Sequence, residues 1–407
     1  MRQLVRAVRT NDLAPGISLI VATAAALTWA NLPWNDSYNQ FWRTSVGVHL
    51  GDFQFERSLA WFVNDCLMVI FFFVVGIEIR EEIHDGELAH WRRAALPTLA
   101  AVGGMVVPAL AYVVLARAPK TGSGWGIPMA TDIAFAVGIL TLLGSRVPPA
   151  LRIVLLALAV IDDLGAILVI AVFYSSGINS GGLVVAAFGL LSVVVLKRLG
   201  IRAKWAYLPP AFAAWAGTYA AGIHPTIAGV ALGLLTPVVP FAGNEITTPI
   251  SEGRNAIRVD DFHSPGQYWL THLQPWVSFA IMPIFALANA GVHLNSLRLD
   301  ASSLDIMLGI GVGLVIGKPV GILVFTWTSL KTGLAVLPPA LSARHLWILG
   351  CTAGIGFTMS LFIAQLAFTQ PEQLDAARLE VVVASAIAGL LVVILGRVVL
   401  RRDGKAQ

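Results

Sequence analysis

The chain has 407 residues, of which 57% are hydrophobic and only 12% are charged. Ordinary soluble domains carry about 25% charged residues. The composition therefore excludes a soluble globular domain and predicts a polytopic membrane protein. The formal net charge of +4 does not indicate a nucleic-acid-binding protein, because the basic residues fall in the loops between apolar segments.

Twelve apolar segments of 15 to 25 residues are predicted to cross the membrane, since about 20 residues span about 30 Å of hydrocarbon. They predict an all-α polytopic membrane protein with residues 1–407 forming a single membrane domain. Two segments, 205–220 and 222–236, are short and adjacent, so the count is open by one pair. The segments are residues 13–31, 58–80, 95–116, 126–144, 150–174, 181–197, 205–220, 222–236, 272–291, 305–329, 345–369 and 378–398.

The loops predict the orientation of the chain. The first apolar run is long for a signal peptide and ends in TWANLPW, which favours a retained first span. Most of the 27 lysines and arginines lie on the side that holds both termini, which predicts cytoplasmic termini and a longest cytoplasmic loop at residues 237–269. The external segment 44–57 alternates around Gly51 and Asp52. It is consistent with a β-hairpin that pairs with a partner subunit, or with an ordinary loop.

Two distant segments contain residues that favour a break in a helix. GIPMATDIAFAVGIL, residues 126–140, contains Pro128, and GCTAGIGFTMSLFI, residues 350–363, contains Gly350, Gly354 and Gly356. Interrupted helices in corresponding positions of two halves mark the binding site of secondary transporters. Close packing of uninterrupted helices through small residues is an equally good interpretation of this pattern alone.

Ionisable residues occur inside several predicted spans. A charge at the bilayer centre costs about 2.5 to 3.5 kcal/mol by insertion scales, so such residues indicate an ion pathway or a proton relay by default. They are Asp65, Glu78, Asp132, Asp162, Asp163 and Lys318.

The adjacent pair in VIDDLGAI, Asp162 and Asp163, predicts the exchange chemistry. Consecutive helical residues point about 100° apart, so one carboxylate can pair with Lys318 while the other faces an aqueous cavity. Two carboxyls in a poorly hydrated site repel each other, so at least one is expected to hold a proton near neutral pH. Without protons, their oxygens suit a small hard cation. Protons and the cation then compete for the same oxygens.

Other polar residues have supporting roles in this hypothesis. Asp132 suits the positive ends of half-helices better than direct ion coordination, and Lys318 suits the negative ends. Thr131 offers a hydroxyl oxygen to the cation. Glu78 and Glu82, at the inner end of the second span, are either a proton sensor or solvated helix-end charges.

His224 and Asp65 also have two interpretations each. His224 titrates near neutrality or is a hydrogen-bonded helix-end histidine, and the second is favoured. Asp65 is interpreted as a polar relay or a helix-packing residue rather than a direct ligand.

Five motifs in order, ATDIAFAVGIL, IDDLGAI, PIFALANAGV, IGKPVGI and GIGFTMSLFIA, resemble those of the NhaA sodium/proton antiporter family. The resemblance extends from the first span to the last. It implies an inverted-repeat fold of twelve helices in which the fourth and eleventh are broken and cross. It also implies electrogenic exchange of internal Na+ or Li+ for external H+ by a homodimer in the lipid of a bacterial inner membrane.

The same resemblance assigns roles to residues. It implies that Asp163 is the principal cation ligand and that Asp162 is both a proton carrier and the partner of Lys318. Thr131 and Asp132 would belong to the crossing region. Glu78 and His224 match positions linked to pH response, and Glu82 and Asp65 are grouped with them.

One segment departs from the family pattern. Family members carry a glutamate and histidines before the PW dipeptide, whereas this chain reads WLTHLQPW with His272 alone. Activation by pH is therefore predicted to be weaker or differently set.

Three other classes of protein are less consistent with the sequence. An intramembrane aspartyl protease needs a GxGD pattern and would leave Lys318 unexplained, so the chain is not expected to be an enzyme. A passive channel needs neither adjacent aspartates nor a buried lysine. A proton-coupled carrier of organic substrates is harder to exclude, although the site offers few aromatic groups. No cofactor is expected.

Overall fold

The computed structural model describes residues 13–51, 53–175, 177, 179–201, 204–238, 264–294 and 300–400. Within these ranges, eight helices are long and apolar enough to cross a membrane, and two bent helix pairs bring the number to ten. The protein is therefore an all-α multi-pass membrane protein. Its helices are α1 (Leu13–Asn31), α2 (Asn35–Arg43), α3 (Leu59–Asp85), α4 (Trp91–Leu115), α5 (Gly122–Met129, a 3-10 helix), α6 (Ile133–Leu142), α7 (Pro149–Phe173), α8 (Ser180–Arg198), α9 (Leu208–Ala220), α10 (Thr226–Leu235), α11 (Pro265–Asn289), α12 (Ala301–Lys331), α13 (Ala343–Ala353), α14 (Phe357–Ala367) and α15 (Pro371–Val399).

The two short predicted segments correspond to helices α9 and α10, which have 13 and 10 residues. At 1.5 Å per residue they are only about 20 and 15 Å long. Both are held by backbone contact at glycines. A Cβ on Gly217 of α9 would lie 2.2 Å from the backbone nitrogen of Ala186, and one on Gly76 of α3 would lie 2.5 Å from the carbonyl oxygen of Val230 in α10.

A two-stranded antiparallel sheet covers the predicted segment 44–57 and extends one residue beyond it. Strands β1 (Ser45–Leu50) and β2 (Phe53–Ser58) pair in a register that places Val46 opposite Arg57. Gly51 between them has φ of +59°, which glycine adopts without a steric penalty. The end of the bundle that carries this sheet is called the hairpin face below.

Helix α2, next to the hairpin, is not among the predicted segments, because its sequence NDSYNQFWR is polar on one side. The hydroxyl of Tyr38 anchors it by donating to the carbonyl oxygens of Leu287 and Ala288 at 2.9 and 3.0 Å. This helix therefore joins the first span to the end of α11.

Two spans are bent where the sequence contains helix-breaking residues. The angle between α5 and α6 is 44°, and that between α13 and α14 is 45°. Gly354 and Gly356 lie at the second break, where a Cβ would come 2.5 Å from the carbonyl oxygen of Leu314 and 2.2 Å from Ser360 Oγ respectively. The first break follows Pro128 by two residues, at 130–132.

Several predicted boundaries are wrong by about one or two helical turns. The fourth span begins at Gly122 rather than 126, and the ninth begins at Pro265 rather than 272. The start of the ninth span was predicted too late because Gln267 and His272 lower the mean hydropathy of the first turns of α11. The predicted loop 237–269 is therefore too long at its end, and its residues 239–263 lie outside the described residues.

Candidate functional site

The breaks in the two bent spans lie against each other. The backbone nitrogen of Asp132 donates to the carbonyl oxygen of Ile355 at 2.7 Å. The hydroxyl of Ser360 donates to the carbonyl oxygen of Ile127 at 2.7 Å. Carbonyl groups freed by each break are thus satisfied by the other span, as buried backbone requires.

Asp132 caps two half-helices at once. Its Oδ1 accepts from the backbone nitrogen of Phe135 at 3.0 Å, in the first turn of α6. Its Oδ2 accepts from the backbone nitrogen and the hydroxyl of Thr358, at 3.1 and 2.5 Å, in the first turn of α14. Both termini carry partial positive charge, so one fully buried carboxylate faces two favourable dipoles.

Asp132→Ala is expected to lower the free energy of unfolding by about 2 kcal/mol or more, because each lost N-cap costs about 0.5 to 2 kcal/mol. Thr358→Val keeps the backbone bond and loses only the hydroxyl bond, so it should cost about 1 kcal/mol. Thermal unfolding in detergent measures both. Equal losses in the two variants would contradict a double cap.

Asp162, Lys318 and Thr131 form a contact group beside the crossing, and all three are fully buried. Lys318 Nζ lies 2.9 Å from Asp162 Oδ2 and also donates to the carbonyl oxygen of Met129, the last residue of α5. The Thr131 hydroxyl lies 2.7 Å from the same Asp162 oxygen and 3.0 Å from the carbonyl oxygen of Ala353. The lysine thus faces a carboxylate and the negative end of a half-helix.

The local sequence makes room for Lys318. A π-helical turn at Gly313–Gly317 precedes it in α12, and such turns widen a helix locally at functional sites. Gly104 of α4 lies across from the lysine stem, where a Cβ would be 3.7 Å from Lys318 Cε.

Asp163 differs from its neighbour because no described residue forms a hydrogen bond or ion pair with its carboxyl group. The side chain is 1% exposed, and its Oδ1 is buried without a partner. Asp162 Oδ1 is buried and unpaired as well. Charges on Asp162, Glu78 and Asp132 repel a carboxylate at Asp163, and the charge on Lys318 attracts it. Unpaired buried carboxyl oxygens are costly, so this is a place where a proton or a cation has partners to gain.

The four residues predicted to take part in pH response lie in two other places. Three of them, Asp65, Glu78 and Glu82, lie on α3, and His224 lies in the turn before α10. At the end of α3 opposite the hairpin face, Gln274 Nε2 donates to Glu78 Oε1 at 3.2 Å, and Glu82 Oε1 accepts from the backbone nitrogen of Glu87 at 2.8 Å. Towards the hairpin face, His224 Nε2 lies 3.9 Å from Asp65 Oδ1. The ring nitrogen Nδ1 of His224 contacts the Thr226 hydroxyl at 3.0 Å.

Several groups at the crossing are not among the predicted site residues. They are the Thr358 and Ser360 hydroxyls, the Met129 carbonyl and the space above Gly104. Hydroxyl residues in the first turn after a break, as in GIGFTMS, were the available signal for the first two. The Met129 carbonyl leaves no such signal, because every residue has a backbone carbonyl. Gly104 is visible in the sequence, but nothing in the sequence indicates which side chain packs over it.

Bent spans that meet at buried charged groups are the architecture of secondary transporters, and the fold and site place this protein in that class. The comparisons with known proteins agree. The chain matches the model of the family described as "Na+/H+ antiporter 1" over residues 6–395. It belongs to this family.

Several named proteins are similar to this chain over nearly its full length. A protein of Myxococcus xanthus named "Na(+)/H(+) antiporter NhaA 2" is 56% identical, covering 95% of this chain and 87% of its own. The protein of the same name in Sorangium cellulosum is 49% identical, covering 95% and 88%. An Acidovorax protein named "Na(+)/H(+) antiporter NhaA" is 47% identical, covering 93% and 88%. The resemblance stated from the motifs is thereby confirmed.

Proposed function

We propose that this Na+/H+ antiporter exchanges cytoplasmic Na+ or Li+ for external H+, electrogenically, for sodium and pH homeostasis. The observation that carries the proposal is the unequal environment of adjacent carboxyls: Asp162 pairs with Lys318 at 2.9 Å, whereas Asp163 has an unpaired buried oxygen. Family membership supports the choice of ions. Na+ and H+ are substrates here, and no cofactor takes part.

Asp163 is the principal cation ligand in this proposal. A dehydrated Na+ needs several oxygen ligands, and the unpaired oxygens of Asp163 and Asp162 supply the anionic ones. The Thr131 hydroxyl is an additional neutral ligand. Asp132 acts as a cap of the half-helices, because its oxygens are already used by Phe135 and Thr358.

Asp162 is the second proton carrier. When Asp162 takes up a proton, its attraction for Lys318 weakens, and loss of that proton restores the ion pair. Protons on both carboxyls leave no anionic oxygen for Na+, and bound Na+ disfavours both protons. Because the two carboxyls carry two protons for each singly charged cation, every exchange cycle moves one net charge, and the exchange is electrogenic.

The proposed architecture has twelve spans in an inverted repeat. Both termini are cytoplasmic, and the protein lies in a bacterial inner membrane. In this arrangement α9 and α10 are the seventh and eighth spans and the hairpin face is external. The exposed hairpin edge is the contact between two copies in a homodimer.

Everted vesicles from an antiporter-deficient bacterium test this function. Addition of Na+ or Li+ should collapse a preformed pH gradient, whereas an equal concentration of choline should not. Reversal potentials in proteoliposomes give the ion-to-proton ratio. A gradient that is insensitive to both ions between pH 6 and 9 would favour a proton-coupled carrier of organic substrates instead.

The altered segment before Pro275 yields a pH prediction. Gln274→Glu would place a second carboxyl where the Gln274 amide now lies 3.2 Å from Glu78 Oε1, and two adjacent carboxylates repel each other. If Glu78 must lose its proton for activation, the midpoint of the activity profile should move to more alkaline pH by about 0.5 to 1 unit. The measurement is exchange rate against pH. A control, Gln267→Glu, adds the same charge at the start of α11, and an identical shift there would argue against a role for Glu78.

A further inference from the structure

An outward-open cleft lies at the hairpin face, away from the exchange site. Two spans separate the hairpin from residues 116–122, so both are at the same end of the bundle. The cleft has a volume of about 460 Å³. Its polar lining consists of Lys120, Ser123, Thr369, Gln370 and Gln373.

The electrostatic character of this cleft is positive. Gly122 and Ser123 are the first two residues of α5, and Gln370 is the N-cap of α15. The backbone N–H groups of first helical turns have no partner in their own helix, and they carry the positive end of the dipole. In α15 these groups belong to Glu372 and Gln373, because Pro371 at the first position has no N–H. Lys120 is the only ionisable residue in the lining, and the first-turn residue Glu372 is not part of it. The start of α5, the N-cap residue of α15 and Lys120 therefore line one space.

Gln373 adds an unpartnered amide to the cleft. Its side chain is only 8% exposed, yet its amide forms no hydrogen bond with any residue that the structure describes. The same side chain lines the cleft. The amide is accessible from the cleft, so its two N–H groups are available to a group inside it.

We propose that this cleft binds a phosphate group. Tetrahedral oxyanions are well suited to helix N-termini with an added lysine, because several oxygens accept from several N–H donors together. The volume exceeds what a halide ion fills and suits a phosphate with its substituent. Because the cleft opens at the end of the bundle, the phosphate belongs either to an outer-leaflet phospholipid headgroup or to a free phosphate ion.

The position of the cleft gives the bound phosphate a structural role. It joins the start of α5 to the segment that follows α14, which are the ends of the two bent spans on the hairpin face. It also contacts the start of α15. An occupied cleft thus holds three elements together and stabilises this arrangement of the bent spans. This inference rests on the geometry of the cleft and does not depend on which ions are exchanged.

Binding is tested with purified full-length protein in a neutral detergent. The probes are dioctanoyl phosphatidylglycerol and inorganic phosphate, with dioctanoylglycerol as the uncharged control, and thermal unfolding is followed as each probe is titrated. Lys120→Gly is the first variant. Lys120 has φ of +66°, a conformation that glycine adopts more readily, so this change removes the charge without adding backbone strain. It should weaken probe binding about ten-fold or more.

Gln373→Leu removes the amide at similar volume and should weaken binding about three- to ten-fold. Arg117→Ala is the matched control, because Arg117 is an exposed cation on the same loop and does not line the cleft. Lys120→Arg should retain most of the binding. Stabilisation by phosphatidylglycerol alone identifies a lipid headgroup, and stabilisation by both probes identifies the phosphate group itself.

Two results would overturn the proposal. One is the absence of stabilisation by either probe in the wild-type protein. The other is a loss of binding in Arg117→Ala as large as in Lys120→Gly, since this would indicate general surface attraction. Because binding is read from unfolding and not from transport, the outcome is separate from any failure of the exchange assay.

Discussion

Asp163→Asn is expected to abolish Na+- and Li+-dependent proton exchange. The amide keeps the size of the side chain but removes the charge and the proton site together. Breaking a buried ionic contact costs about 3 to 5 kcal/mol, a loss in cation affinity of more than about a hundred-fold. Collapse of a preformed pH gradient in everted vesicles measures the result, and raising Na+ to tens of millimolar should not restore it.

Stability distinguishes this loss from misfolding. The Asp163 carboxyl has no protein partner among the described residues and has a buried unpaired oxygen, so its replacement should leave the unfolding temperature unchanged or raise it. Asp36→Asn is the matched control, because Asp36 is exposed in the first turn of α2 and should retain full exchange. Wild-type exchange in Asp163→Asn would remove the basis for the proposed cation site.

The sequence was sufficient to predict the fold class because the bilayer imposes a simple requirement. Spans must be apolar and must satisfy their own backbone, so hydropathy alone locates α3, α4 and α7 closely. The same rule is weak where a helix starts with polar residues, as α11 does at Gln267. It is also weak where two helices are shorter than the membrane, as α9 and α10 are. Helix α2 lies beside the bundle, so hydropathy gave no indication of it.

The site was predictable to the extent that charge inside a span is costly. Asp132, Asp162, Asp163 and Lys318 are all conspicuous in apolar sequence. The structure brings Asp132, Asp162 and Lys318 to the crossing of the two bent spans. The pairing was less accessible, because a 100° offset allows Lys318 to contact either aspartate. Only the positions of α7 and α12 assign the lysine to Asp162. The role of Thr358 as a partner of Asp132 depends on the contact between two breaks that are 226 residues apart, and no local pattern specifies it.

Lys318→Met is expected to be the most destabilising substitution at this site. It preserves the apolar length of the side chain but leaves Asp162 buried without its cation, with only the Thr131 hydroxyl near that oxygen. Removing one partner of a buried ion pair costs about 3 to 5 kcal/mol. Unfolding in detergent should show this loss at alkaline pH. At acid pH the loss should be smaller, because Asp162 then takes up a proton and no longer carries an unpaired charge.

A double variant separates the ion pair from the packing of the lysine stem. Asp162→Asn alone leaves the ammonium of Lys318 unpaired and should also destabilise, whereas Lys318→Met with Asp162→Asn has no buried charge left to compensate. The double variant should therefore recover most of the stability, with a coupling of about 2 kcal/mol or more between the two positions. Lys331→Met is the control, since Lys331 is exposed at the end of α12 and its ammonium lies over the face of Trp327, a contact worth about 0.5 to 1 kcal/mol. Additive losses at Lys318 and Asp162 would mean that their contact of 2.9 Å contributes no coupling to the folded state, and Lys318 would then be held chiefly by the carbonyl of Met129.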